Sequence, residues 1–145
     1  EYVPPLHLRR PRGEYPFVLT TGARMPVFCH SRYRNIPRLR KVSPIAEVEI
    51  HPVDATRLKI EDKERVRVIS EIGSVEVQAK IVGGNEIVQG VLQITHGWDD
   101  GNVNLVTHDL VNDPISGFPL LKSVPVRIEK IDLPSKASSS GSGHI

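Results

Sequence analysis

Residues 46–81, AEVEIHPVDATRLKIEDKERVRVISEIGSVEVQAKI, switch hydrophobic period twice, and this stretch restricts the fold more than any other. Ala46–Ile50 alternates apolar and charged residues, as a half-buried strand does. His51 to Leu58 then places Pro52 at a first helical position and Asp54 in the first turn, so a short helix is expected to end near Lys59. Val66–Ile69 and Val75–Ala79 alternate again around a turn at Gly73, which predicts a hairpin. Tyr15–Thr21, Val91–Ile94 and Val124–Ile128 supply further strands, with Pro125 placing the start of the last one at an edge. Short strands separated by turn residues fit a barrel better than a doubly wound sheet. The expected class is mainly β with one or two short helices.

A chain of 145 residues with 39% hydrophobic content can bury one core without staples. Residues 1–13 combine prolines with charge and read as a lead-in or interdomain linker; 14–132 form the folded domain; 133–145 are Ser/Gly-rich and read as a disordered tail, native or appended. The start at Glu1 rather than Met suggests a piece of a longer polypeptide or a processed product. No apolar run approaches a membrane span and no signal-peptide core is present, so a soluble domain without membrane contact is expected; the compartment stays open, with the cytoplasm favoured over the periplasm. A net charge of +2 is far from that of a dedicated nucleic-acid binder, and a nucleic-acid partner is not expected. The single cysteine, Cys29, excludes an intramolecular disulfide and Cys-clustered metal sites, and its Val-Phe-Cys setting assigns it to packing.

The cations are uneven. Arg24, Arg32, Arg34, Arg38, Arg40 and Lys41 crowd one stretch, which includes the loop TTGARMPVFCHSRYRNIP after the first strand. Gly22 with Ala23 permits close backbone approach, Thr20 or Thr21 can donate a hydroxyl, and Arg24 can fork onto an anionic oxygen. Such a local patch can meet an anion.

The ordered blocks TTGAR, FCHSRYRNIPRLR, the stretch 46–81, GVLQITHGW, NVNLVTHD and DPISGFPLLKSVPVRI together resemble the C-terminal dinucleotide-binding domain of the molybdopterin oxidoreductases, the dimethyl-sulfoxide-reductase and formate-dehydrogenase group. The resemblance covers Tyr15 to Ile131. VFCHSRYRNIPRLR is most similar to formate-dehydrogenase-like and acetylene-hydratase-like members. The resemblance implies a six-stranded double-psi β-barrel that caps molybdopterin guanine dinucleotide. It implies molybdenum or tungsten held by the cofactor and by another domain, and an iron–sulfur cluster elsewhere in the full polypeptide. The implied partners are the remaining domains of that polypeptide and an electron-transfer subunit, and the isolated domain is expected to be inactive. By the same resemblance His30 and Ser31 contact the pterin or its phosphate, followed by Arg32 and Arg34. Asn104 and Thr107 match a cofactor-facing block, Lys122 matches a basic position near the pterin, and Gly97 and Trp98 border the cofactor. Trp98 can stack on a ring or cover the barrel end.

The chain departs from the family where the helix and its following turn usually read Leu-Gly-Ile-x-Asp-Gly-Asp, because here they are Leu58-Lys59-Ile60-Glu61-Asp62-Lys63-Glu64. If either lysine needs positive φ, its β-carbon costs about 1 kcal/mol. Other readings fit less. Asp99 and Asp100 lack the remaining spacing of a calcium loop and are expected at the surface. Gly73-Ser74 matches the cleavage dipeptide of self-processing pyruvoyl decarboxylases on the same barrel class, yet a tight hairpin turn explains it. A non-catalytic barrel that uses its arginines on a protein or nucleic-acid partner is the alternative function.

Overall fold

The computed structural model describes residues 13–107, 112–119 and 121–131. The predicted tail, and the lead-in except Gly13, lie outside them. The elements run β1 Phe17–Thr20, α1 Pro37–Arg40, β2 Glu47–Ile50, α2 Pro52–Leu58, β3 Arg65–Ile69, β4 Ser74–Ile81, β5 Val91–Ile94, a 3₁₀ turn Val103–Leu105, and β6 Lys122–Lys130. The strands close in the order β1-β5-β2-β4-β3-β6, a six-stranded double-psi barrel. The pairs β1–β5 and β2–β4 are parallel and the other four antiparallel.

Period two builds the core. Phe17 and Leu19, Val48 and Ile50, Val66 and Val68, Val75, Val77 and Ala79, Leu92 and Ile94, and Val124, Val126 and Ile128 all point inward and are buried. Ala55 and Ile60 from around α2, with Phe28, Trp98, Val103 and Val106 from the connections, join the same cluster. A side chain of this size gains roughly 1.5–3 kcal/mol on full burial, so the alternation itself supplies much of the driving force.

The helix forms as its sequence predicts. Pro52 occupies the first turn, His51 accepts the Val53 amide at 3.2 Å as N-cap, and Lys59 ends the helix in the left-handed region at φ 56°. Lys63 is also left-handed, at φ 67°. Both substituted glycine positions therefore keep the glycine-like backbone, and the lysines carry the strain.

Two expectations change in detail. The barrel is closed and has no free edge, but Pro125 pairs only with Val18, and the β3 register on β6 stops at Arg127. The missing N–H thus falls where β6 has a single partner. Gly73 does close the hairpin, its carbonyl accepting Ser70 N–H at 2.9 Å, but not for positive φ: a β-carbon there would collide with the Leu105 carbonyl oxygen. Glycine is required by close approach. Among the described residues no helix is long and apolar enough to cross a membrane.

Candidate functional site

Strand direction decides where the site lies. Because β1 and β5 are parallel neighbours, the loops leaving Thr20 and Ile94 emerge at one end of the barrel. β6 runs antiparallel to β1, so its first residue, Lys122, arrives at that same end, in register with Thr20. The register slips there by one residue: Leu19 faces Val124 while Thr20 faces Lys122, and Ser123 is bulged out at φ 61°. The bulge re-aims Lys122 toward the loop, where a β-carbon on Gly22 would lie 2.9 Å from its Cε.

These segments enclose a cleft of about 530 Å³, lined by residues including Arg24, His30, Ser31, His96 and Asn104. An adjoining lobe of about 430 Å³ shares Thr21, Arg24 and His96 and adds Gly22 and Lys122. Trp98 also lines the main cleft, whereas Ala23 and Arg32 line neither lobe. The tight Cys29–Arg32 turn, closed by Arg32 N–H to the Cys29 carbonyl at 2.9 Å, presents Ser31 to the cleft and leaves Arg32 beside it. Thr107 also lies outside the lining and donates its hydroxyl to Asn104 O at 3.3 Å.

Several side chains that sequence offers as ligand groups are engaged by the protein. The Thr21 hydroxyl donates to Leu121 O at 2.7 Å, and the Thr21 amide reaches the same carbonyl at 3.2 Å, so this residue ties β1 to the chain entering β6. Trp98 is buried in the core: Phe28 meets it edge-on with centroids 5.5 Å apart, Arg40 lies 4.8 Å from its ring centroid, and its indole N–H donates to Thr95 Oγ1 at 3.2 Å. Of its two expected roles, covering the barrel end is the one the packing supports. Cys29 corrects the packing assignment, for it is exposed; Phe28 takes the inward position and the turn carries the next residue out.

His30 occupies the left-handed region at φ 55° and is held from two sides. Its Nδ1 lies 2.7 Å from Nε2 of His96, whose Nδ1 is bonded to Thr21 O at 3.1 Å. From the other side Gly97, at φ 107°, packs so closely on the His30 carbonyl that a β-carbon would collide with it. The Arg24 guanidinium, followed by lost hydration, His96 and Arg32, holds the His30 imidazole below its usual pKa. Arg34 stitches the two loops together, donating to Gly97 O at 2.7 Å and pairing with Asp99 at 3.4 Å. Arg40 similarly binds Pro44 O at 2.9 Å and Asp100 at 3.2 Å. The acidic turn is therefore exposed, as expected, and is paired with arginines.

Arg24 and Lys122 remain. Among the described residues neither forms an ion pair or side-chain hydrogen bond, and no carboxylate lines either lobe. The cleft thus presents uncompensated positive charge beside an imidazole, an amide and a hydroxyl, a donor set suited to phosphate oxygens and a polar heterocycle. A model of the family described as "Molydopterin dinucleotide binding domain" matches residues 17–125. The chain belongs to this family. It is 32% identical over 129 residues to dopamine dehydroxylase of Eggerthella lenta, covering 81% of this chain and 12% of that protein. It is 35% identical over 125 residues to the F420-dependent formate dehydrogenase subunit alpha of Methanocaldococcus jannaschii, covering 83% and 18% respectively. Acetylene hydratase from Pelobacter acetylenicus superposes with a TM-score of 0.72 at 25% identity, over 81% of this chain and 19% of that one. The chain spans less than a fifth of these relatives, as a dinucleotide-binding domain does within a larger catalytic polypeptide. These similarities favour cofactor binding over the free-standing binding module.

Sequence reasoning missed His96 and Phe118, which line both lobes. His96 stands in ITHGW two residues after the inward-facing Ile94, and its signal in the sequence was a histidine at the end of a strand and beside a glycine. Phe118, 61% exposed, carried only the signal of an aromatic between glycine and proline.

Proposed function

We propose that this chain is the cofactor-binding domain of a larger molybdenum- or tungsten-dependent oxidoreductase and that it holds a molybdopterin guanine dinucleotide in the cleft at the shared end of β1, β5 and β6. The observation that carries this reading is the pair of cations, Arg24 and Lys122, that no described residue compensates, in a cleft to which the described residues bring no carboxylate. The residues present fit the group. Arg24 and Lys122 would neutralise the phosphates, His30 and Ser31 would bond a phosphate or pterin edge, and Asn104, with both donor and acceptor, would read a heterocycle. Arg32 would add field from just outside, and Gly22 would leave room for the Lys122 stem. Redox chemistry is supplied by the bound cofactor and its metal, while the protein contributes position, neutralisation and exclusion of water. The remaining domains of the polypeptide, an iron–sulfur segment among them, and a separate electron-transfer subunit complete the proposed enzyme.

The test uses the complete polypeptide matured anaerobically. Molybdenum or tungsten together with guanosine monophosphate released by acid is the expected composition. The His30→Ala variant should lose cofactor occupancy and activity while its far-ultraviolet circular dichroism and melting temperature stay near those of the parent. Full metal and nucleotide content in that variant would remove His30 from the site, and a well-folded parent containing neither would remove the proposal.

A further inference from the structure

A backbone carbonyl can only accept, so the 3.1 Å bond from His96 Nδ1 to Thr21 O fixes a proton on that nitrogen. In the neutral ring His96 Nε2 is then a bare acceptor. Its partner at 2.7 Å, His30 Nδ1, must supply the proton of their bond. The tautomers of both rings are thus dictated from a main-chain oxygen outward, and the one ring nitrogen left over is His30 Nε2. Among the described residues nothing bonds it, and both imidazoles line the cleft. The neutral pair can take one further proton, on His30 Nε2, with every existing bond kept. A second would set two N–H groups against each other across the short contact.

The surroundings decide when that proton is welcome. Arg24 and Arg32 act on His30 from its own loop and His96 from the loop after β5, all opposing the charge. Lys122, at the start of β6, lines the adjoining lobe, and Arg34 is occupied by Gly97 and Asp99. No carboxylate of the described residues faces the cleft to offset these cations. An anionic oxygen placed among them removes the opposition and accepts a bond from the new N–H.

We propose that His96 is a positioning residue that makes His30 a proton-coupled anion receptor: a phosphate oxygen of the bound nucleotide and one proton enter the cleft together, with the proton on His30 Nε2. This inference rests on the reading of the cleft as the nucleotide-cofactor site.

The test is histidine-resolved ¹H–¹⁵N NMR on the 145-residue chain, with sulfate as a probe that does not titrate near neutrality. Free protein should show Nδ1–H tautomers at both His30 and His96. Sulfate should raise the titration midpoint of His30, and its affinity should fall about tenfold per pH unit between the free and bound midpoints, the slope of single-proton linkage. Guanosine 5′-diphosphate should displace the sulfate; sulfate binding that the nucleotide leaves untouched would mark a site for free inorganic anions and overturn the nucleotide assignment. His96→Leu should release His30 to mixed tautomers and abolish the pH slope. His96→Gln, whose amide can accept from His30 and donate to Thr21 O, should restore both, an outcome that a merely structural role for His96 would not produce. An Nε2–H tautomer at His96, or sulfate that shifts the Arg24 and Gly22 signals without moving the His30 midpoint, would overturn the inference and leave the cofactor reading standing. Failure of both sulfate and the nucleotide to perturb the cleft would overturn the two together. Should His96→Leu not fold, the parent and His96→Gln slopes still decide.

Discussion

Arg34 and Arg24 belong to one cation-rich stretch and have opposite fates. Arg34 is largely buried, with a side chain 21% exposed, and is bonded to Gly97 O and Asp99; Arg40 is engaged in the same way with Pro44 O and Asp100. Arg24 is exposed and, among the described residues, unpaired, although it lines both lobes of the cleft. Arg34 and Arg40 tie the surrounding loops together, and in the proposed site Arg24 is left to meet the ligand. An anion site needs both kinds, because a cation already neutralised by the fold cannot neutralise a ligand, and one without a scaffold cannot hold its place.

The sharpest way to break this division is to damage the scaffold at its tightest point. Gly97→Ala places a β-carbon against the His30 carbonyl at a φ of 107°, so a loss of at least about 2 kcal/mol in urea unfolding is expected, along with nucleotide binding. Wild-type stability in that variant would show that the two loops can part without consequence. Next comes the direct contrast between the two arginines. Arg34→Ala should destabilise the chain by about 1–2 kcal/mol, chiefly through the lost charged bond to Gly97 O, since the Asp99 pair is exposed and worth little. Arg24→Ala should leave stability within about 0.5 kcal/mol of the parent while weakening guanosine 5′-diphosphate binding roughly tenfold by calorimetry. Equal melting temperatures for the two variants would erase the distinction. The smallest effect lies far from the cleft: Lys59→Gly and Lys63→Gly relieve left-handed strain and should each stabilise by about 0.5 kcal/mol, with nucleotide binding unchanged.

Much of the wall was legible because period two leaves little choice. Val66 and Val68 or Val75 and Val77 can share a core only if their neighbours face out, and Pro52 with Asp54 marks the helix start locally. Pairing was less legible. Nothing within GVLQITHGW states that this strand runs parallel beside β1, yet that neighbour relation brings His96 to His30. The same limit explains the other differences. Whether the Thr21 hydroxyl is available depends on Leu121, a hundred residues away in sequence, and Trp98 is buried because Phe28 and Arg40 converge on it. Cys29 is outward, despite its apolar Val-Phe-Cys setting, because Phe28 takes the inward position and Cys29 opens a four-residue turn. The two lysines at glycine positions show the reverse case, in which a departure in residue type leaves the backbone unchanged.

The slip of register at Ser123 has a consequence for the order of events in the cell. The cleft draws on residues after β1, after β5 and at the opening of β6, so the Lys122 that completes it is made after five of the six strands. A ribosome that has released β1 through β5 has released a barrel missing both its last stave and its last cation. The proposed receptor for the cofactor is therefore among the last parts of this domain to exist, and on that reading loading follows translation of the domain.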